Sequence, residues 1–258
     1  MATGTTINYK TDWYPTKNYQ AFEEYLPEYW QMKYEDRFCV LSDFCKVGSV
    51  LDVGCGTGRA LSHFKRLGSD VLGIDPSDYS VNNSRLFEEE IIQGDFMDVQ
   101  LDKTFDVVYF EQVLSHMPRA MDAISKAREL MNEDGLMVIE EPNDYNPLQM
   151  QIELQEGLYW VVNEHCNYFN FNSLENKLKS KGLDVVYKSC TYPMELFYMQ
   201  GFNYIGDPEV GRRVHKMRYN MLSQMTYTQR KELKESFAKM GWGRDLFLIC
   251  KKGVLKNG

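Results

Sequence analysis

Hydrophobic positions along the chain switch between two periods. Trp30, Tyr34, Phe38, Leu41 and Phe44 recur at spacings of three and four, one face of an amphipathic helix. The helical pattern reaches back to Lys17 but is interrupted by Pro27, so the part before Pro27 reads as a separate short helix or cap. A short β-rich run at 49–53 then stops at glycines and reads as the first strand. Helical spacing returns at Ala60, Leu61, Phe64 and Leu67, with Gly68 as a stop signal. Strands follow at 71–75 and 91–95; the polar stretch 77–90 between them is assigned to a helix on topology more than on pattern. The nearly continuous apolar run at 105–110 suits a strand covered on both faces.

Pro118 suits the first turn of a helix lined by Met121, Ile124, Ala127 or Arg128, and Met131, ending near Gly135. Strand five is expected at 136–139. Asn172 and Glu175 have the spacing of a capping box for a helix that turns Leu174 and Leu178 inward and closes at Gly182, before a strand at 184–187. Leu233, Phe237 and Met240 make a last helical stripe before the Gly241-Trp242-Gly243 turn and a strand at 246–250. Strands alternating with helices imply an α/β fold whose parallel sheet is doubly wound, with its ligand beyond the carboxyl ends of the strands. Long stretches interrupt the rhythm after strands five and six. The expected organisation is an N-terminal helical cap at 1–45, a core at 46–189 and 244–258, and substrate-binding lid insertions, helical and rich in aromatics, at 144–171 and 190–243.

Composition narrows the function. A chain of 258 residues with 43% hydrophobic and 26% charged residues has the makeup of a globular domain, not of a disordered tail or coiled coil. Its 29 basic against 37 acidic residues give a net charge of -8, which argues against a nucleic-acid partner. With no signal-like start and no membrane-length apolar run, the protein reads as cytoplasmic and without a membrane span. Six cysteines without a Cys-x-x-Cys pair read as reduced, buried small hydrophobes.

The chemistry concentrates at Gly54-x-Gly56-x-Gly58, where the backbone can approach a ligand and the next helix presents its amides. Acids stand around it: Asp52 before the glycines, Asp75 ending strand two and Asp95 ending strand three. Asp75 lies 21 residues beyond Gly54, about where an acid accepts hydrogen bonds from ribose hydroxyls. A dinucleotide fingerprint would want glycine where Arg59 stands, and Asp52 would repel a pyrophosphate. S-adenosylmethionine, with its cationic amine and sulfonium, suits the acids better.

Leu51-Asp52-Val53-Gly54-Cys55-Gly56-Thr57-Gly58, with Gly73-Ile74-Asp75, Gly94-Asp95-Phe96, Phe105-Asp106-Val107-Val108 through His116, and Gly135-Leu136, resembles the class I S-adenosylmethionine-dependent methyltransferases. That resemblance implies a Rossmann-like sheet of seven strands, the last antiparallel, and S-adenosylhomocysteine as product. It gives Gly54, Gly56 and Gly58 the methionine end, Asp75 the ribose, Asp95 the adenine amine and Phe96 an adenine face. It also has Asp52 orient the amine and places Glu111 and Gln112 beside the methyl donor. Gly58 and Phe96 also have plainer readings, as a helix-packing glycine and a core aromatic.

Methyl transfer to a hydroxyl needs a general base. His165 is the first candidate, with a structural histidine as the equal alternative; His116 follows, with structure favoured. Glu141 and Asp144 could act as base or position substrate hydroxyls. With Asn143 they also resemble a hard-cation set, but polar turns of this kind are usually just solvated, and no metal is expected. Arg212, Arg213, His215, Lys216 and Arg218 could grip a phosphate or could be a solvated helix face. Tyr159, Trp160, Tyr168, Phe169, Tyr192, Tyr198, Phe202 and Tyr204 could stack on a substrate ring or fill the lid core, and of these Tyr168 and Tyr192 are taken as substrate-binding. Residues 163–169, 192–198 and 206–209 resemble, more loosely, methyltransferases of bacterial capsule and O-antigen clusters.

The expected function is O-methylation of a small molecule, a sugar or a nucleotide- or phosphate-linked precursor of a surface polysaccharide. The rivals are an N- or C-methyltransferase, a non-catalytic binding protein of the same fold, and a nicotinamide oxidoreductase. The oligomeric state is left open.

Overall fold

The computed structural model describes residues 25–86 and 90–253. Helix α1 is Pro27–Ser42, β1 Ser49–Val53, α2 Arg59–Arg66, β2 Asp70–Asp75, α3 Asp78–Asn82, β3 Ile91–Gln93 and β4 Phe105–Glu111. A 3-10 turn at Leu114–His116 leads to α4 (Ala120–Glu129) and β5 (Met131–Pro142). Then follow α5 (Pro147–Glu156), α6 (Phe171–Ser180), β6 (Leu183–Cys190), α7 (Glu195–Met199), α8 (Pro208–Ser223), α9 (Tyr227–Lys239) and β7 (Asp245–Lys252).

The strands form one seven-stranded sheet in the order β3-β2-β1-β4-β5-β7-β6. β1 pairs in parallel with both β2 and β4, and β2 with β3. β7 is antiparallel to β5 and β6, as the resemblance implied. The chain divides into two compact units. One holds the described residues up to Glu111 with Glu129–Gly135; the other holds Gln112–Arg128 and the described residues from Leu136 onward. In the first, β1 carries four buried residues in succession, because a central strand buries both faces. No helix of the described residues is long and apolar enough to cross a membrane.

Several sequence expectations need correction. Pro27 opens α1 instead of interrupting a helix: its missing N–H costs nothing in a first turn. The stretch from Lys17 to residue 24 lies outside the described residues. The helix expected over 77–90 is the short α3, ended at Asn82-Asn83, whose side chains compete for backbone groups; residues 87–89 are not described. Strand three stops at Gln93, so Asp95 lies beyond it.

Helix α4 buries Ala120, Ala123, Ile124 and Ala127, and Met131 belongs to β5. The cap of α6 is Asn170, whose side chain accepts the N–H of Ser173 while the Ser173 hydroxyl accepts that of Asn170. Glu175 instead pairs with Lys188. Met240 lies just past α9 and is exposed. None of the six cysteines, all among the described residues, is in a disulfide, but Cys39 and Cys166 are exposed, so only Cys55, Cys190 and Cys250 are buried hydrophobes.

Candidate active site

In the first unit the glycine turn is a bend through three left-handed positions, Gly54 (φ 73°), Gly56 (φ 53°) and Gly58 (φ 73°), which residues with a Cβ enter only at a cost. Asp75 pins it. One carboxylate oxygen accepts the Gly56 N–H at 2.9 Å and the other the Ser77 N–H at 2.9 Å. Burial raises the Asp75 pKa, and these N–H donors oppose the rise. At Gly58 a Cβ would fall 2.7 Å from Leu86, so this glycine also serves packing.

Asp52 is 2% exposed, and its Oδ1 has no hydrogen-bond partner among the described residues. Burial first, then Glu111 and Asp75, push its pKa well up, with Lys33 in opposition. A cationic group brought to Asp52 would offset all three effects, and S-adenosylmethionine carries such a group in its amine. Asp95 is exposed and accepts the Met97 N–H at 2.8 Å, closing a turn. Phe96 is buried edge to face on Phe110. Glu111 is held by an ion pair to Lys33 and by the Tyr34 hydroxyl at 3.1 Å. The Arg59 guanidinium lies 3.6 Å from the centre of the Trp30 ring.

The second unit begins at Gln112, which is exposed and left-handed (φ 56°) and donates its N–H to Glu140 O at 2.7 Å. Glu141 is fully buried: Oε1 accepts the N–H groups of Val113 and Leu114 at 2.7 and 2.6 Å, and Oε2 that of Ser115 at 3.2 Å. Burial raises its pKa to about 7 against those donors. The expected base or hydroxyl ligand is thus an anchor for the turn after β4, because the carboxylate is fully buried and holds three backbone N–H groups. Asn143 donates to Gly241 O and Gly243 O, and Asp144 Oδ2 accepts the Phe169 N–H at 3.2 Å. Burial lifts Asp144 to about 6. The three oxygen residues that resembled a cation set are therefore engaged separately.

The segment carrying His165 is laced to this turn. Ser115 O accepts the N–H groups of Cys166 and Asn167, and the Asn167 amide donates to Met117 O at 2.7 Å. His116 and His165 meet edge to face at 4.7 Å. His116 Nδ1 lies 3.1 Å from Glu164 O, and burial, then His165, lower its pKa to about 4, so the neutral ring donates there. Burial also lowers the His165 pKa, and its buried Nδ1 has no hydrogen-bond partner among the described residues. Tyr168, beside His165 at 5.8 Å, gives its hydroxyl to Val162 O.

Tyr192, expected on the substrate, instead packs against Met194, Phe197 and Val214 because its ring completes that local core. Helix α8 splits the basic cluster: Val214, Arg218 and Leu222 are buried, whereas Arg212, Arg213 and Lys216 are exposed. His215 lies 2.8 Å from Arg218, and burial with that charge drives its pKa to about 3. The periodicity of Val214 and Leu222 carried the signal for this split. Sequence reasoning missed Glu195, fully buried, whose Oε1 accepts from Arg244 at 3.0 Å and from the Tyr159 hydroxyl at 3.2 Å.

A family model described as a methyltransferase domain matches residues 22–188, more than half of the chain. The chain belongs to this family. Its cofactor is accordingly S-adenosylmethionine. The chain is 31% identical over 96 residues, 35% of its length, to the ubiquinone biosynthesis O-methyltransferase of Rhodopseudomonas palustris, covering 38% of that protein. It is 24% identical over 157 residues, 53% of its length, to the sterol 24-C-methyltransferase of Saccharomyces cerevisiae, covering 39% of that relative. The matches thus span about two fifths of either relative. The fold matches an S-adenosylmethionine-dependent methyltransferase from Archaeoglobus fulgidus with a TM-score of 0.57 at 19% identity, covering 91% of this chain and 99% of the other.

Proposed function

We propose that this protein O-methylates a hydroxylated small molecule, with His165 as the base that receives the hydroxyl proton. The observation that carries this reading is the His165 ring, whose pKa burial lowers toward the neutral form and whose Nδ1 has no hydrogen-bond partner among the described residues. When bound, S-adenosylmethionine supplies a sulfonium methyl that an oxygen nucleophile displaces in line. The chain's part is to align and to deprotonate. Gly54, Gly56 and Gly58 would take the methionine end, Asp52 its amine, Asp75 the ribose and Asp95 the adenine edge. Glu141 holds the turn after β4, and His116, donating to Glu164 O, orients the partner histidine through their ring contact.

The acceptor in this reading is a sugar, or a phosphate- or nucleotide-linked precursor of a bacterial surface polysaccharide. Its supports are the sequence resemblance at 163–169 and 192–198 and the exposed pair Arg212 and Arg213. Transfer of tritiated methyl from S-adenosylmethionine to glycosides or nucleotide sugars tests it. Transfer to primary amines alone would overturn the O-methyl assignment and favour an N-methyltransferase.

Asp75→Ala is expected to weaken S-adenosylhomocysteine binding by about 1 to 3 kcal/mol, the cost of unpairing charge-assisted hydrogen bonds. Calorimetry checks this, and wild-type affinity would remove Asp75 from the ribose site. The Arg212→Ala, Arg213→Ala double variant is expected to raise KM for a nucleotide sugar about tenfold, as loss of a charged hydrogen bond would. A phosphate-free glycoside should be unaffected; equal changes for both acceptors would return the pair to plain surface.

A further inference from the structure

In the second unit, Tyr145 follows the end of β5 in the left-handed region (φ 55°), where a residue with a Cβ is strained by about 1 to 2 kcal/mol, yet the residue is 47% exposed. Its flanks hold it there. Asn143 is tied to Gly241 O and Gly243 O, while Asn146 donates to Asn143 O at 2.9 Å and caps α5 through the N–H groups of Leu148 and Gln149. Strain imposed from both sides on an exposed aromatic marks a functional position more than a packing one.

Tyr145 is the middle of a row of rings. It meets Trp160 edge to face at 5.7 Å and Tyr168 at 6.3 Å. Beyond Tyr168 stands His165 at 5.8 Å; beyond Trp160 stands Tyr159 at 5.2 Å, whose hydroxyl donates to Glu195 Oε1. Two carboxylates border the row, each sealed from solvent and each with one unused oxygen. Glu195 spends Oε1 on Tyr159 and Arg244, and its Oε2 has no partner among the described residues. Asp144, next to Tyr145 in the chain, spends Oδ2 on Phe169, and its Oδ1 has none. A buried acceptor left unmade is unfavourable by about 1 to 3 kcal/mol until a donor reaches it.

We propose that Tyr145, flanked by Trp160 and Tyr168, together with the unpaired oxygens of Asp144 and Glu195, forms the acceptor subsite for a polyhydroxylated ring. Such a ring presents an apolar C–H face to an aromatic and hydroxyl donors to carboxylates. A phosphate would meet two acids, and a plain arene would leave both oxygens unpaired. This rests on the O-methylation reading for its place in the reaction, but the binding can be read without turnover.

Saturation-transfer NMR with methyl α-glucoside and UDP-glucose, in the presence of S-adenosylhomocysteine, measures the subsite directly. Tyr145→Asn tolerates the left-handed backbone and removes the ring; it is expected to abolish the glycoside signal, and Tyr145→Phe to restore it. In turnover, Glu195→Gln keeps an acceptor for Tyr159 and Arg244 but turns a donor toward the ligand. It is expected to raise the acceptor KM about tenfold with kcat and the S-adenosylmethionine KM unchanged. Should Glu195→Gln not fold, the two Tyr145 variants decide alone. Absent glycoside signals in the wild type, or undiminished ones in Tyr145→Asn, would overturn the subsite. Methylation of methyl α-glucoside at wild-type rates by both Tyr145→Asn and Glu195→Gln would overturn it and leave O-methylation standing. Tyr145-dependent glycoside binding without methyl transfer would instead sustain the subsite and overturn the O-methyl reading.

Discussion

Replacing His165 by alanine is expected to lower kcat for a hydroxyl acceptor by about 10²- to 10⁴-fold, the range that a positioned general base contributes. The affinity for S-adenosylhomocysteine should not change, because the residues read as holding it, Asp52, the glycine turn, Asp75 and Asp95, do not include His165. The pH profile follows from the direction of the shift. Only the neutral imidazole can accept a proton, and burial lowers the pKa of His165 below its ordinary value of 6.5. Wild-type kcat should therefore be level above pH 6.5 and fall as acid protonates the ring. The alanine variant should lose that limb. Unchanged turnover across the whole range would remove the base and leave His165 as a tie between its segment and the turn at Leu114–His116.

The second large effect falls on stability. Glu141→Ala strips the acceptors from three backbone N–H groups, those of Val113, Leu114 and Ser115, in a place closed to water. Each unsatisfied amide costs about 1 to 3 kcal/mol, so the loss should be on the order of 3 kcal/mol or more, a large share of the roughly 5 to 15 kcal/mol that holds a domain folded. Urea denaturation should show it as a fall in midpoint. Glu141→Gln, which keeps one carbonyl for Val113 and Leu114, should recover part of the loss. A change within about 0.5 kcal/mol, the range of an ordinary surface replacement, would show that the turn does not depend on this carboxylate.

What the sequence disclosed, and what it concealed, follows the range of each interaction. The bend at Gly54, Gly56 and Gly58 was legible because a left-handed backbone leaves its mark locally, as glycine. Asp75 was legible because strand length and turn fix its offset. Asp95 reads as the end of strand three yet lies beyond it, because β3 has only three residues, too few to show a period. Met131 reads as helical because its spacing from Ile124 continues the helical register, whereas Leu130 O already receives the Phe105 N–H as the chain enters β5.

The long-range pairs were hidden. Lys33 and Glu111 stand 78 positions apart, and nothing in either neighbourhood announces the other. Glu141 looked the same in sequence whether catalytic or structural; amides more than 25 positions upstream decide the matter. The same holds for Glu195, which reads as one acid in an aromatic stretch until Arg244 and Tyr159 arrive from distant segments.

The position of β7 also governs how the second unit can assemble. β6 has β7 as its neighbour in the sheet, and β7 separates it from β5, so neither gains its shared ladder until the final strand is inserted between them. During synthesis, β5 and β6 would emerge with open edges while some fifty further residues are still being added. Removing Asp245–Lys252 would therefore do more than trim an edge: it would leave the facing edges of β5 and β6 unpaired at once, and the expected product is aggregate.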